Sequence, residues 1–188
     1  MIKTNLKIWF VCLCMTLSTF NDWSATEAKS VGLEFLLNKL GSASSIDSAN
    51  RTRLQIWNIW TNKISFDNKK KLKAALYKFN AGEFKLAEDA FSEIISIEPS
   101  FMEAWNKRAT IRYILGDFEG SLEDIGEVLL REPRHFGAIS GLGLIYMAQK
   151  KYDKALKSYL RLKDIDPMNS EVRNFIPILE FYVYGEST

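Results

Sequence analysis

Prolines recur at a fixed step of 34 residues in this chain, at Pro99, Pro133 and Pro167. The same step relates five further columns of similar residues: Gly82, Gly116 and Lys150; Phe84, Phe118 and Tyr152; Ala87, Ser121 and Ala155; Phe91, Ile125 and Tyr159; and Ala75, Ala109 and Gly143. Such a period, with small residues at two columns, an aromatic residue at a third and a closing proline, is typical of helix-turn-helix units that stack into a solenoid. Each unit can bury its apolar face only against a neighbour, so the period strongly constrains the fold.

The periodic part of the chain predicts an all-α fold, a right-handed α-solenoid of three helix pairs over residues 67–168. The pairs span about 68–101, 102–135 and 136–168. In each pair we expect a first helix, a short turn and a second helix that stops before the proline. Proline ends the helix because it lacks an N–H and restricts the backbone of the residue before it.

Two non-periodic segments flank the repeats. Residues 26–66 carry apolar side chains at helical spacing, and we interpret 31–62 as a degenerate repeat that covers the open end of the stack. An unrelated helical hairpin packed at that end is the alternative. Residues 169–188 predict a C-terminal capping helix, since such arrays need a solvated last face. The apolar side of this helix carries Val172, Ile176, Leu179 and Val183.

Residues 1–25 have the three-part layout of a secretory signal peptide. Lys3 and Lys7 precede an apolar run from residue 8 to residue 20, and small residues up to Ala25 follow. The run is 13 residues long, which is short for a membrane span of about 20 residues. We expect cleavage near Ala25 and export to the periplasm, although secretion beyond the cell gives the same pattern. An uncleaved anchor is the alternative, and the only route by which we expect contact with a membrane.

The residues that usually carry chemistry are scarce. Cys12 and Cys14 lie inside the signal segment, so a cleaved chain has neither disulfides nor thiolate metal sites. The 25 basic and 23 acidic residues are scattered, which argues against a nucleic-acid partner. His135 is the only histidine, and no glycine-rich phosphate loop is present. We therefore expect no metal, no cofactor and no catalysis, and a turn or capping role for His135.

The repeat columns resemble the tetratricopeptide repeat (TPR) family over about 67–168. The residues that carry this resemblance are Trp105, Gly116, Phe118, Ile125 and Pro133 in the second copy, and Leu142, Gly143, Tyr146, Tyr152, Ala155, Tyr159 and Pro167 in the third. The first copy departs from the pattern, with Lys71 and Lys78 where large apolar residues are usual. The segments 56–60, 103–110 and 132–138 look like those of small exported bacterial TPR proteins of alphaproteobacterial type. That resemblance implies a Gram-negative envelope location and brings no reaction with it.

In this family, the first helices of successive repeats line a concave groove that binds an extended peptide or a partner helix. The resemblance places the following residues on that groove: Leu72, Leu76, Phe79, Asn106, Lys107, Thr110, Tyr113, Gly137, Ser140, Gly141, Leu144 and Met147. Relatives that grip a terminal carboxylate carry Lys, Asn and Arg at five places there, of which this chain keeps only Lys107. We therefore expect a segment with apolar anchors. The alternative is that this surface packs only on the chain's own terminal helices.

The resemblance and the signal together predict an exported adaptor or scaffold that binds a protein or peptide through its concave groove. A structural role, in which the chain self-associates into a homo-oligomer without a separate ligand, is the alternative.

Arg108 and Arg112 lie four residues apart at columns normally filled by Leu and Tyr. A charge at a core position must be paired or reach water. We expect ion pairs between repeats, with Asp89, Glu93 or Asp124 as partners. The alternative is that the two arginines bind an anionic group of a ligand.

Overall fold

The structure is a computed structural model that describes residues 31–185. The predicted signal peptide and residues 186–188 lie outside this range. Helix α1 covers 31–41 of the described residues. The helices that follow it are α2 (Ile46–Thr61), α3 (Lys69–Asn80), α4 (Phe84–Ile97), α5 (Met102–Ile114), α6 (Phe118–Arg131), α7 (Phe136–Ala148), α8 (Tyr152–Ile165) and α9 (Ser170–Tyr184). Between residues 31 and 185 the chain has no strand, and none of the helices there is long and apolar enough to cross a membrane.

The helices from α3 to α8 form three antiparallel pairs that stack in chain order. Small residues in the first helix of each pair let its partner approach closely. The clearest case is Gly143 on α7, where an added Cβ would lie 2.5 Å from the ring of Tyr159 on α8. Tyr159 is fully buried, and this burial raises its pKa above the usual value. The third pair therefore depends on glycine where the other pairs have Ala75 and Ala109.

The turn inside each pair needs one residue in the left-handed backbone region. Gly82 and Gly116 occupy that position with φ of 76° and 80°, where glycine has no Cβ to strain the backbone. Lys150 occupies it in the third pair, with φ of 57°. The predicted turn column is thus explained by backbone geometry, and the third pair keeps the geometry without glycine.

Helix α9 covers the end of the stack, with Val172, Ile176 and Leu179 buried. Its first turn is capped by the side chain of Asn169, which accepts a hydrogen bond of 2.8 Å from the backbone N–H of Glu171. The helix continues through Pro177.

The N-terminal hairpin, defined here as α1 and α2, does not cover the open end of the stack. This part of the expectation was wrong. Its buried side chains belong to the apolar cluster of α7, α8 and α9, whereas the core of the first repeat contains no residue of α1 or α2. Trp60 is fully buried and its ring stacks on His135 with centroids 4.2 Å apart. The hairpin therefore packs across the second and third repeats.

Polar contacts fix the hairpin in this position. The guanidinium of Arg53 donates two hydrogen bonds, of 2.6 and 3.0 Å, to the carboxylate of Asp166, which is fully buried at the end of α8. On α1, Glu34 forms an ion pair with Arg134 at the start of the third repeat. A buried carboxylate is costly unless it is paired, so Asp166 favours the one placement of α2 that brings Arg53 to it.

The segment between α2 and α3 is attached to the first repeat by Glu98. This carboxylate accepts hydrogen bonds from the backbone N–H of Ser65 at 3.0 Å, from the Ser65 hydroxyl at 2.7 Å and from the Asn68 amide at 2.8 Å. Burial tends to raise the pKa of Glu98, but these hydrogen bonds outweigh it, so the pKa lies below the usual value. The bonds therefore favour the charged carboxylate.

Replacing Trp60 should expose how far stability depends on the docked hairpin. We expect Trp60→Ala to lower the free energy of unfolding by about 3–5 kcal/mol, because it empties a fully buried site. Urea denaturation followed by circular dichroism measures this change. Leu54→Ala is the matched control, since Leu54 lies on the same helix and is 68% exposed, and it should change stability by less than about 0.5 kcal/mol. Equal effects of the two variants would contradict the placement of α2.

The three bonds to Glu98 predict a pH dependence of stability. Because the folded-state pKa lies below the unfolded value near 4.5, the stabilisation is fully present above pH 4.5 and is lost as the pH falls through the folded pKa. We expect Glu98→Gln to be less stable than the native chain at neutral pH, and the difference to shrink in acid. Denaturation at a series of pH values tests this, and a difference that grows below pH 4.5 would show the opposite linkage.

Candidate functional site

A concave cavity of about 210 Å³ opens between α5 and α7. Seven of the twelve predicted groove residues line it: Asn106, Thr110, Tyr113, Gly137, Ser140, Gly141 and Leu144. The back of the cavity is formed by Ala109, Ser121 and Ile125. The lining is mainly apolar, and Asn106, Thr110 and Ser140 contribute amide and hydroxyl groups to it.

Glycine on α7 gives the cavity its depth. A Cβ added at Gly141 would lie 3.1 Å from Cδ1 of Ile125, so a larger residue would fill the space between α6 and α7. Gly141 stands 34 residues after Lys107, in the same repeat column, and Ile125 forms the floor beneath it. The depth of the cavity therefore depends on the missing side chain at this position.

The other five predicted groove residues do not line this cavity. Leu72, Leu76 and Phe79 are half-buried against the core of the first repeat, and Met147 is half-buried against the cluster of the third. The ammonium of Lys107 lies 5.7 Å from the ring centre of Phe79. These residues flank the cavity rather than form it.

The N-terminal hairpin lies beside one end of the predicted groove. The ring of Trp57 lies 3.4 Å from the position that a Cβ of Gly137 would take, next to the start of α7. The ammonium of Lys107 lies 5.6 Å from the centre of the Trp57 ring. At the α9 side, the hydroxyl of Ser140 donates a hydrogen bond to Glu171. The alternative in which the chain's own terminal helices cover this surface thus holds for its edges, while the cavity itself stays open.

The two arginines at core columns form a paired network behind the groove helix. Arg108 donates two hydrogen bonds, of 2.7 and 2.9 Å, to Asp124, and one of 3.0 Å to the hydroxyl of Ser92. Arg112 donates a hydrogen bond of 3.0 Å to Glu88 and forms an ion pair of 3.1 Å with Asp124. The predicted ion pair between repeats is the one from Arg112 to Glu88 of the first repeat. Asp124, the predicted acid that pairs with both arginines, lies in the same repeat as they do, so those pairs are within the second repeat.

The other two acids expected as partners of these arginines, Asp89 and Glu93, were wrong. Asp89 is exposed and forms none of the ion pairs of the described residues, and Glu93 pairs with Lys71. Glu88 is the partner because one residue rotates a helix position by about 100°, which turns Glu88 toward α5 and Asp89 toward solvent. Burial tends to raise the pKa of Glu88, but hydrogen bonds from Arg112 and Lys85 lower it on balance.

His135 has the predicted capping role and one contact that sequence reasoning missed. Its Nδ1 accepts a hydrogen bond of 3.0 Å from the backbone N–H of Ala138 and so caps α7. The ring proton must then lie on Nε2, which donates to Glu103 at 2.9 Å. Glu103 and His135 are both buried. Only the repeat register, which sets Glu103 near the start of α5 and His135 just before α7, could have suggested this pair.

Comparison with known proteins identifies the repeat. The sequence profile described as "Tetratricopeptide repeat" matches residues 72–132 and 106–170, which together cover more than half of the chain. The chain belongs to the tetratricopeptide repeat family. The fold is accordingly an all-α TPR solenoid, and proteins of this family are typically scaffolds without catalytic activity.

Two curated relatives match this chain over part of their length. A TPR repeat-containing protein of Rhizobium etli is 35% identical over 102 residues, which are 54% of this chain and 50% of that protein. The small glutamine-rich tetratricopeptide repeat-containing protein 2 of Saccharomyces cerevisiae is 25% identical over 143 residues, 73% of this chain and 41% of that protein. The chain thus spans half or less of the length of these relatives. The Rhizobium relative agrees with the alphaproteobacterial type of TPR protein that the sequence resembled.

Solved structures share the TPR architecture. The first TPR of Spaghetti (RPAP3), bound to the HSP90 peptide SRMEEVD, has a TM-score of 0.57 at 20% identity and covers 60% of this chain and 89% of its own. MamA from Desulfovibrio magneticus RS-1 has a TM-score of 0.57 at 16% identity and covers 82% of this chain and 85% of its own. At these identities the likeness shows the fold alone.

Removing one arginine should test whether the network is structural. We expect Arg108→Met to lower the free energy of unfolding by about 3 kcal/mol, because it leaves the buried Asp124 with one partner fewer. Arg131→Met is the control, since it removes a surface pair with Glu127 that contributes less than about 1 kcal/mol. Thermal and chemical denaturation measure both variants. Unchanged stability with loss of a bound partner would assign Arg108 to ligand binding instead.

Proposed function

We propose that this TPR protein is an exported scaffold that binds a segment of a partner protein in the cavity between α5 and α7. Family membership supports the coarser statement that the chain is a scaffold for protein–protein interaction, with a protein or peptide as its partner. The single observation that carries the finer proposal is the open cavity on the concave side, lined by residues of two successive first helices.

The size of the cavity favours a side-chain anchor. Pockets for small molecules usually enclose about 300–1,000 Å³, whereas this cavity encloses about 210 Å³. An apolar side chain can fill such a space against Ile125 and Leu144. The hydroxyls of Thr110 and Ser140 also line the cavity. They donate to the Asn106 carbonyl and to Glu171, and each can still accept a hydrogen bond from a backbone N–H of an extended segment.

The N-terminal hairpin beside the groove limits how the segment lies. Trp57 lies beside Gly137, so we propose that the segment enters from the side of Tyr113 and Leu144 and ends near Lys107. With one cation at this end, specificity rests on the apolar anchor. Burial of such an anchor in a small pocket is the usual source of affinity in peptide recognition.

Export rests on the sequence alone. The layout of residues 1–25 motivates a periplasmic location, and secretion beyond the cell remains the other outcome. Fractionation of the native cell, with detection of the chain and determination of its N-terminus, tests the proposal. An N-terminus at residue 1 and a cytosolic location would contradict it.

Changes to the lining of the cavity should weaken partner binding. We expect Leu144→Arg, which places a charged chain in the cavity, and Tyr113→Ala, which removes one wall, to lose at least about tenfold in affinity, the effect expected for a buried anchor. Crosslinking in the native envelope identifies the partner, and a binding assay with the purified partner measures the loss. Melting by circular dichroism confirms that each variant is folded.

Leu130→Arg is the matched control, because Leu130 is 78% exposed on α6. The groove proposal fails if folded Leu144→Arg keeps the partners of the native chain. Self-association is a distinct outcome: the crosslinked partner would then be a second copy, and light scattering would show a mass that rises with concentration.

A further inference from the structure

The outward side of α3 exposes a face that every later repeat buries. Tyr77, Ile111, Ile145 and Leu179 are spaced 34 residues apart and occupy one column of the array. The last three are fully buried, whereas Tyr77 is 73% exposed. In the later copies this column packs against the second helix of the preceding pair. No described helix takes that place at α3, because the N-terminal hairpin packs across the second and third repeats.

This exposed face, which we term the α3 face, is basic and contains two aromatic residues. The α3 face consists of Phe66, Lys69, Lys70, Lys73, Ala74, Tyr77 and Lys78. Residues 70, 73, 74, 77 and 78 border one shallow depression together with Glu83. Phe66 is 85% exposed in the turn before α3, and the ammonium of Lys69 lies 5.9 Å from its ring centre.

Positive charge is concentrated in this part of the chain. Residues 63–78 contain six lysines and one acidic residue, so this segment carries a net charge of +5 while the whole chain carries +2. Lys71 pairs with Glu93 on the other side of the helix. Lys69, Lys70, Lys73 and Lys78 have no carboxylate within ion-pairing distance among residues 31–185. The net charge of the whole chain is close to neutral and therefore does not indicate this strongly basic surface.

The chemistry of the α3 face favours a fluid anionic surface over a structured polyanion. Its cations are all lysines, which act as hydrated point charges, whereas arginine is the usual choice for shaped recognition of phosphates or carboxylates. A docked protein helix would need an apolar stripe, but four of the six residues that border the depression are charged. Exposed aromatic rings beside lysines are typical of residues that lie at a membrane–water interface.

We propose that the α3 face binds the surface of an anionic lipid bilayer. The lysines lie near the headgroups, where each adds to the electrostatic attraction, and the rings of Phe66 and Tyr77 enter the interfacial layer. The concave cavity between α5 and α7 is a separate surface, so a scaffold held this way keeps its groove free. From the sequence we expected contact with a membrane only through an uncleaved segment 1–25. The contact proposed here is made by the α3 face and does not need that segment.

Sedimentation with lipid vesicles tests the proposal on the full chain. The vesicles contain either phosphatidylglycerol with phosphatidylethanolamine or phosphatidylcholine alone. We expect binding to the anionic vesicles to be at least about tenfold stronger, and to fall steeply as salt rises from about 0.05 M to about 0.5 M. Residues 1–25 are present in every variant, so differences between variants report on the α3 face alone.

Two variants, each with three lysines replaced by glutamate and so with the same change in net charge, show where the chain contacts the vesicle. Lys70→Glu with Lys73→Glu and Lys78→Glu should reduce binding to anionic vesicles by at least about tenfold. The matched control carries Lys151→Glu, Lys157→Glu and Lys163→Glu, at exposed positions of the third repeat, and should stay within about twofold of the native chain. Phe66→Ser with Tyr77→Ser should weaken binding several-fold and leave its salt dependence in place.

Equal losses in the two triple variants, or equal binding to both kinds of vesicle, would overturn the proposal. So would binding to polyglutamate or to a single-stranded oligonucleotide without binding to vesicles, since this would assign the lysines to another polyanion. Native binding by the Phe66 and Tyr77 double variant would overturn the role of the rings. Leu144→Arg should bind vesicles normally, so this experiment and the partner assay can fail independently.

Discussion

The array depends on the burial of one apolar column where each first helix meets the helix before it. Ile111, Ile145 and Leu179 fill this column and are fully buried, so this part of the apolar surface of each pair is buried only against its neighbour. The same requirement explains the two ends. Helix α9 covers the last pair and continues the column, while Tyr77 leaves it open at α3. Among residues 31–185, α9 covers one end of the solenoid and the α3 end is exposed.

The N-terminal hairpin bounds one end of the cavity between α5 and α7. Because Asp166 is buried, it needs the guanidinium of Arg53, and this pair sets α2 across the start of α7. Trp57 then lies beside Gly137, which lines one end of the cavity. A helix stacked on α3 would instead have covered the lysines of the α3 face. One buried ion pair therefore affects two surfaces that are far apart in the sequence.

Sequence reasoning succeeded where the pattern is periodic and failed where a single tertiary contact decides. The three helix pairs lie within the predicted spans of 68–101, 102–135 and 136–168, since turn glycines and closing prolines set their limits. Seven of the predicted groove residues line one cavity, because they lie on the facing sides of the successive first helices α5 and α7. The position of the hairpin has no periodic signal, as it depends on Arg53 reaching Asp166. Whether Glu88 or Asp89 pairs with Arg112 depends on how α4 is oriented about its own axis, because adjacent residues on a helix point about 100° apart.

The arginine network bears on the groove through the stiffness of α5. This helix carries Asn106, Thr110 and Tyr113 on its groove side, and Arg108 and Arg112 on the side facing α4 and α6. Asp124 receives both arginines, so α5 cannot rotate or slide without separating a buried carboxylate from its partners. The wall of the cavity is thereby held in place before any ligand arrives. A preformed wall lowers the entropy that binding must overcome, which suits recognition of a short segment by a small cavity.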